Sequence, residues 1–200
     1  MFRLIASTIL IIGDSHTVGP FGQKLDQLLR DEGAKVATYA SCGSIAKWWY
    51  SGQKTTCGYF ENDLSGTKTE AATHTTPLFP ELLQKINPDH IIIALGTNYV
   101  RNLNDDSVIA DLSLMMNDIR SSGADCFWIL PPDMRQFRGE LPRLNRLVKA
   151  VSGDECRYLE SASITRYPES GGDGIHYWSP EGTPLARAWA IEAAKVFLAN

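Results

Sequence analysis

The sequence predicts an α/β protein, a parallel sheet covered by helices on both faces, in a single domain spanning residues 1–200. Two observations predict it. Apolar, β-branched runs such as Ile9-Leu10-Ile11-Ile12 and His90 to Leu95 stop abruptly at glycine, the pattern of strands buried on both faces. Stretches with apolar residues at helical spacing alternate with those runs, so successive parallel strands are joined by helical crossovers, which are right-handed by rule.

The first strand ends at Gly13-Asp14-Ser15. Phe21, Leu25, Leu28 and Leu29 then repeat at helical spacing over residues 21–33, with Gly33 as the stop. Residues 35–40 form a short strand ending at Ser41-Cys42-Gly43-Ser44. Residues 43–77 carry Gly, Ser, Thr and aromatics without a sustained period and read as one long loop, a kind usually functional or disordered. Residues 77–86 form a short helix ended by Asn87-Pro88, and the apolar strand 90–95 runs into Gly96-Thr97-Asn98. Residues 105–122 form an amphipathic helix with Val108, Leu112, Met115, Met116 and Ile119 on its inner face, the methionines filling core. Strand 126–130 closes at Pro131-Pro132, helix 139–152 follows, and then the short strand 157–160. Residues 165–177 are a glycine-rich loop, and Ser179-Pro180 opens the last helix as N-cap and first-turn proline.

Composition narrows the function. With 44% hydrophobic and 21% charged residues the chain is an ordinary globular protein. A net charge of −4 without a basic run speaks against a nucleic-acid partner. No apolar run approaches the roughly 20 residues needed to span a bilayer. Met1-Phe2-Arg3 and the apolar run after it have the outline of a short signal peptide, but no small-residue cleavage site precedes Gly13-Asp14-Ser15. We read the run as part of the first strand, any native leader having been trimmed. No pair of histidines and no cysteine has metal-ligand spacing, so neither a metal nor a cofactor is expected. Four cysteines allow three full pairings. Cys126 opens one strand and Cys156 precedes the next, while Cys42 and Cys57 bracket a loop. The expected bridges are therefore Cys42–Cys57 and Cys126–Cys156, in an oxidising, periplasmic or secreted location. Four buried thiols in a cytosolic protein are the alternative.

Chemistry gathers beyond the strands' carboxyl ends, where open α/β sheets bind ligands. Taken singly, Ser15 reads as a turn serine, Gly43 as a turn glycine and Asn98 as a loop cap. Together, Gly13-Asp14-Ser15, Gly43, Gly96-Thr97-Asn98 and Asp173-Gly174-Ile175-His176 resemble the four blocks of the SGNH hydrolases, also called the GDSL family. The likeness runs in order from the first strand to the start of the last helix. It implies a flavodoxin-like, three-layer α/β/α fold and ester hydrolysis by a serine nucleophile. It implies Ser15 as nucleophile, His176 as general base, Asp173 as the residue orienting that base, and an oxyanion hole built from Ser15, Gly43 and Asn98. Two positions depart from the pattern: His16 where leucine is usual, and Tyr99 where many members carry aspartate.

The residue types suit those roles on physical grounds. A serine hydroxyl attacks only when a base takes its proton, and histidine titrates near neutrality and can return that proton to the leaving group. Asp173 lies three residues before His176, so one tight loop can present both, the carboxylate fixing the ring's tautomer. Oxyanion donors are worth about 3–4 kcal/mol each in the best-studied case, and a glycine at 43 lets backbone approach substrate closely. Asp14 reads instead as a turn-former bonding backbone amides. His16 either lines the pocket or bonds at a helix start, His74 is expected in solvent, and His90 in a structural role.

Aromatic residues carry the substrate reading. Trp48-Trp49-Tyr50 follows Gly43, and Tyr99 and Tyr177 adjoin expected site residues. Aromatic faces beside a polar loop suit sugar rings, whereas acyl-chain pockets are more often aliphatic. Trp48, Trp49, Tyr99 and Tyr177 are thus candidate substrate-binding residues, packing beneath the loop being the alternative for the two tryptophans. The expected function is a monomeric carbohydrate esterase removing small acyl groups such as acetyl from a small-molecule or glycan ester, cell-wall glycan included. Alternatives are a lysophospholipase or thioesterase for longer chains, and a catalytically silent carbohydrate-binding domain.

Overall fold

The computed structural model describes residues 7–199; the reading of residues 1–6 lies outside them. Among the described residues seven strands form one sheet: β1 (Thr8–Gly13), β2 (Lys35–Ser41), β3 (Tyr59–Asn62), β4 (Lys68–Ala71), β5 (His90–Ala94), β6 (Asp125–Ile129) and β7 (Cys156–Leu159). The helices are α1 (Ser15–Val18), α2 (Pro20–Asp31), α3 (Trp48–Ser51), α4 (Phe79–Ile86), α5 (Asp105–Ser122), α6 (Leu141–Ser152), α7 (Ser161–Ile164) and α8 (Gly182–Leu198). Strands lie in the order β4-β3-β2-β1-β5-β6-β7. The five parallel strands, β2-β1-β5-β6-β7, are therefore wound 2-1-3-4-5 in their own sequence, the flavodoxin-like arrangement.

β1 is the centre of this arrangement because each of its side chains from Ile9 to Ile12 is buried. Successive side chains of a strand point to opposite faces. Leu10 and Ile12 accordingly share one core with Phe79 of α4, Leu112 of α5 and Leu144 of α6, while Ile9 and Ile11 share the other with Leu25 of α2 and Ala190 and Phe197 of α8. Burying each large aliphatic contributes about 1.5–3 kcal/mol, so a strand with two apolar faces holds two helical layers at once. Ile11 pairs with Thr38 on one side and Ile92 on the other, which brings the carboxyl ends of β1, β2 and β5 to one edge of the molecule.

Residues 43–77 differ from the expected featureless loop. They contain α3, the hairpin β3–β4 and a two-stranded pair made by Lys54–Thr55 and His74–Thr75. β3 joins β2 in antiparallel fashion, so the sheet is mixed at this border rather than wholly parallel. Asp63 closes the hairpin, its Oδ1 accepting from the Ser65 and Thr67 N–H groups. Arg30 anchors the hairpin to α2 by donating to the carbonyls of Asn62 and Asp63. The last helix also differs. Its regular part begins at Gly182, and Ser179 serves one turn ahead of it, its Oγ accepting from Gly182 N–H at 3.1 Å.

Both expected cystines are present. Cys42–Cys57 ties the end of β2 to the start of β3, and Cys126–Cys156 joins cross-strand partners on β6 and β7. Among the described residues no helix is long and apolar enough to cross a membrane.

Candidate active site

β1 ends at Gly13, and the chain turns at once into α1. Asp14 caps that helix, its Oδ1 accepting from His16 N–H at 3.0 Å, which satisfies a donor the first turn would leave orphaned. Ser15 is thereby held at the first helical position, at the carboxyl edge of the sheet's central strand. His176 reaches it from the loop before α8: Nε2 lies 3.0 Å from Ser15 Oγ. The other ring nitrogen, Nδ1, lies 2.5 Å from Asp173 Oδ2. Asp173 Oδ1 accepts in addition from the N–H groups of Ile175 and His176, so the short loop closes on its own carboxylate. Residues 161 positions apart in sequence thus form one continuous relay.

Burial pulls the Asp173 carboxyl upward, but the hydrogen bonds from the His176 ring and from the two backbone N–H groups outweigh it and bring it down to about 2. It stays ionised throughout the range in which proteins work. The loop is braced from the segment after β6. Gln136 donates its side-chain N–H to the Asp173 carbonyl and its backbone N–H to Gly174, and Gly174 N–H donates to the Tyr167 hydroxyl. Sequence reasoning treated this segment only as a strand stop.

Gly43 and Asn98 stand where β2 and β5 end. Gly43 has φ +83°, a conformation side-chain-bearing residues rarely adopt, and the Trp48 ring edge lies against it. Asn98 donates one Nδ2 hydrogen to the Ser44 carbonyl at 2.9 Å, leaving the second free, and Ser44 Oγ lies 3.4 Å from the Gly13 carbonyl. The three strand ends are tied together by these contacts. Neither the Ser15 nor the Gly43 backbone N–H has an acceptor among the described residues.

The candidate substrate-binding aromatics fare differently. Trp49 is wholly buried in the core. Tyr99 is buried too, its hydroxyl accepting from Ala46 N–H, and Tyr177 is buried with its hydroxyl donating to the Asp133 carbonyl. These three side chains face inward and do not line an open site: the two tyrosine hydroxyls find backbone partners inside, and Trp49 is held by apolar packing, its Nε1 without a partner. Trp48 alone of the four stays partly open. The aromatic that sequence reasoning missed is Trp178, exposed and stacked on the His176 ring. His16 is buried, its ring beside those of His176 and Trp189, and its Nε2 has no partner. Burial, with the repulsion of His176, pushes it down to about 3, so it carries no charge. His74 is partly open to solvent and stacks on Tyr59, ring centroids 3.9 Å apart, and His90 lies 3.4 Å from the Asp125 carboxylate.

Asp14 has a measurable consequence of its own. Burial raises its carboxyl to about 7 from an ordinary 3.8, against hydrogen bonds from His16 N–H and Thr97 that lower it. The folded protein therefore holds a proton that the unfolded chain releases between about pH 4 and 7, and stability falls as pH rises through that window. At about 1.4 kcal/mol per unit, the full shift amounts to something on the order of 4 kcal/mol. Asp14→Asn, which keeps the acceptor and never ionises, should be near wild type in Tm at pH 5 and clearly above it at pH 8. A difference that stays constant between those pH values would contradict the raised carboxyl.

The fold is that of the SGNH, or GDSL-type, hydrolases. The structure resembles the psychrotrophic esterase EstA from Pseudoalteromonas sp. with a TM-score of 0.65 and 15% identity, over 97% of this chain and 100% of that one. It resembles TesA with a TM-score of 0.64 and 18% identity, over 96% and 99%. In sequence, the chain is 27% identical over 191 residues to Protein BcsX of Komagataeibacter xylinus, covering 86% of this chain and 71% of the relative. No protein-family model matches the chain.

Proposed function

We propose that this protein is a serine esterase, working as a single domain, that removes small acyl groups of the acetyl type from carbohydrate. The observation that carries the reading is the relay Ser15 Oγ–His176–Asp173, with contacts of 3.0 and 2.5 Å. In the forward step His176 Nε2 takes the Ser15 proton as Oγ attacks the ester carbonyl, and the ionised Asp173 stabilises the imidazolium so formed. His176 then gives that proton to the departing alcohol. Water repeats the sequence on the acyl-enzyme and frees the acid. The unpaired N–H groups of Ser15 and Gly43 and the second Nδ2 hydrogen of Asn98 suit an oxyanion that develops between them.

A small acyl group is favoured because no roomy slot opens from this side of the nucleophile: the hollow bordered by Ser15, His176, Gly19 and Trp178, away from Gly43 and Asn98, is only about 10 Å³ and admits no acyl chain. Larger hollows of about 710 and 550 Å³ include neither Ser15 nor His176. A long acyl chain would need an apolar slot beside the nucleophile. Half-open aromatic surface at Trp48, beside Gly43, supports a sugar as the alcohol. Two cystines support an oxidising, periplasmic or secreted location.

The test is kcat/KM on p-nitrophenyl esters from acetate to decanoate, beside an acetylated oligosaccharide. The expected result is a maximum at acetate and a higher value still on the glycan ester. Activity that climbs with chain length would replace this reading with a lysophospholipase or thioesterase. No turnover of any ester would leave a silent binding domain.

A further inference from the structure

Ser15 and Asp173 hold the two nitrogens of His176 in the plane of its ring and leave the faces of the ring to other neighbours. The Trp178 indole covers one of those faces. It lies on the imidazole with centroids 4.1 Å apart and planes within 23° of parallel. It does so at the surface, where the side chain stays 44% exposed. With nearly half of its surface open, the indole is no core residue, and apolar burial alone does not call for a face-to-face contact with an imidazole. Its contact with a ring that must become cationic during the reaction has a direct electrostatic meaning. The face of an indole is negative, and a cation within about 6 Å of the ring centre is attracted to it. The charged and titratable groups around His176 are few. Asp173 is the anion in the ring plane, and His16, 5.6 Å away and buried neutral, adds no competing charge.

We propose that Trp178 is a positioning residue for His176, its indole face supporting the imidazole from one side and stabilising the positive charge the ring takes up with the Ser15 proton. The proposal rests on the esterase reading and deepens it. The proton moves from Ser15 Oγ to His176 Nε2 and on to the leaving oxygen; Trp178 exchanges nothing. Because the effect lies in the base rather than in substrate binding, it reaches every acyl donor alike, whatever its alcohol.

The experiment compares Trp178→Ala and Trp178→Phe with the wild type in three assays: kcat and KM on p-nitrophenyl acetate, kcat and KM on an acetylated oligosaccharide, and the rate at which a p-nitrophenyl alkylphosphonate inactivates Ser15. Melting temperatures are measured in parallel. Trp178→Ala should lower kcat about 3- to 30-fold on both substrates, the range a cation–π contact spans, with KM for the aryl ester little changed. Phosphonylation should slow by the same factor, Trp178→Phe should recover most of the rate, and Tm should hold. A raised KM on the glycan alone, with the aryl ester and phosphonylation unaffected, would make Trp178 a sugar platform and overturn the proposal. So would equal losses in the Phe and Ala variants, or losses that follow a falling Tm. A wild-type protein that neither turns over esters nor is phosphonylated would overturn the esterase reading and the proposal with it.

Discussion

Ser15→Ala is expected to lower kcat/KM on p-nitrophenyl acetate by about 10⁴-fold or more while leaving the melting temperature close to that of the wild type. The activity loss follows from the relay: removing Oγ takes away the atom that forms the acyl bond, and the remaining oxyanion donors stabilise only a direct attack by water. The preserved fold follows from the same geometry. Oγ has one partner, His176 Nε2, and Ser15 occupies the first position of α1, which alanine accepts without loss. His176→Ala should be nearly as severe, and the double variant no worse than either single one, because the two residues act as a unit. Turnover by folded Ser15→Ala protein within tenfold of wild type would sink the assignment of the nucleophile.

Gly22→Ala should damage the protein more than any property of that position in isolation indicates. Gly22 lies in α2, and a Cβ there would stand 2.1 Å from the Thr17 carbonyl oxygen and 2.4 Å from Thr17 Cα. These are backbone atoms of α1, two residues beyond Ser15, and they cannot swing aside as a side chain can. One helix must move. Overpacking of this kind costs about 3 kcal/mol at its upper end, or about 6–12 °C in a chain of this size. If α1 is the helix that yields, Ser15 Oγ leaves its place 3.0 Å from His176, and a displacement near 1 Å costs about 10²-fold in rate. The expected result is therefore a joint loss of Tm and kcat/KM. Gly139→Ala is the control, since a Cβ there meets nothing within 4 Å, and it should stay within about 0.5 kcal/mol of wild type. Equal behaviour of the two variants would refute the close approach of α1 and α2.

How much of this could be read in advance depended on whether the signal was local. The run Ile9 to Ile12 and the helix over residues 105–122 carry a burial pattern on every turn, and both lie where that pattern put them. The relay residues were legible because their motifs end strands or open a helix, positions that topology brings together. The hairpin β3–β4 was not legible. Each of its strands is four residues long, and all of β4 from Lys68 to Glu70 faces solvent, so no apolar alternation marks it. Trp48 and Trp49 look identical in the chain, yet neighbouring residues on one helical turn point about 100° apart. One consequently enters the core while the other leans on Gly43. Tyr99 and Tyr177 were misjudged for a related reason: their hydroxyls bond atoms 53 and 44 residues away, contacts without any local trace. Trp178 left no signal because a single exposed aromatic after a histidine has no period.

The two cystines sit at the outermost pairings of the main body of the sheet, β2 with β3 and β6 with β7. Strands peel from the margins of a sheet, and a bared margin is a row of unpaired N–H and C=O groups ready to accept another chain. The natural border at β4 is harmless, for Lys68, Thr69 and Glu70 are polar or charged and exposed. The strand beneath the β3–β4 ribbon, two in from that border, is not: Val36, Ala37, Tyr39 and Ala40 of β2 are fully buried and would make a long, apolar, sticky edge. Under reducing conditions the ribbon that shields β2 loses its covalent tie. What the cystines guard against is then less the melting of the centre than the growth of the sheet outward, copy upon copy, from an uncovered flank.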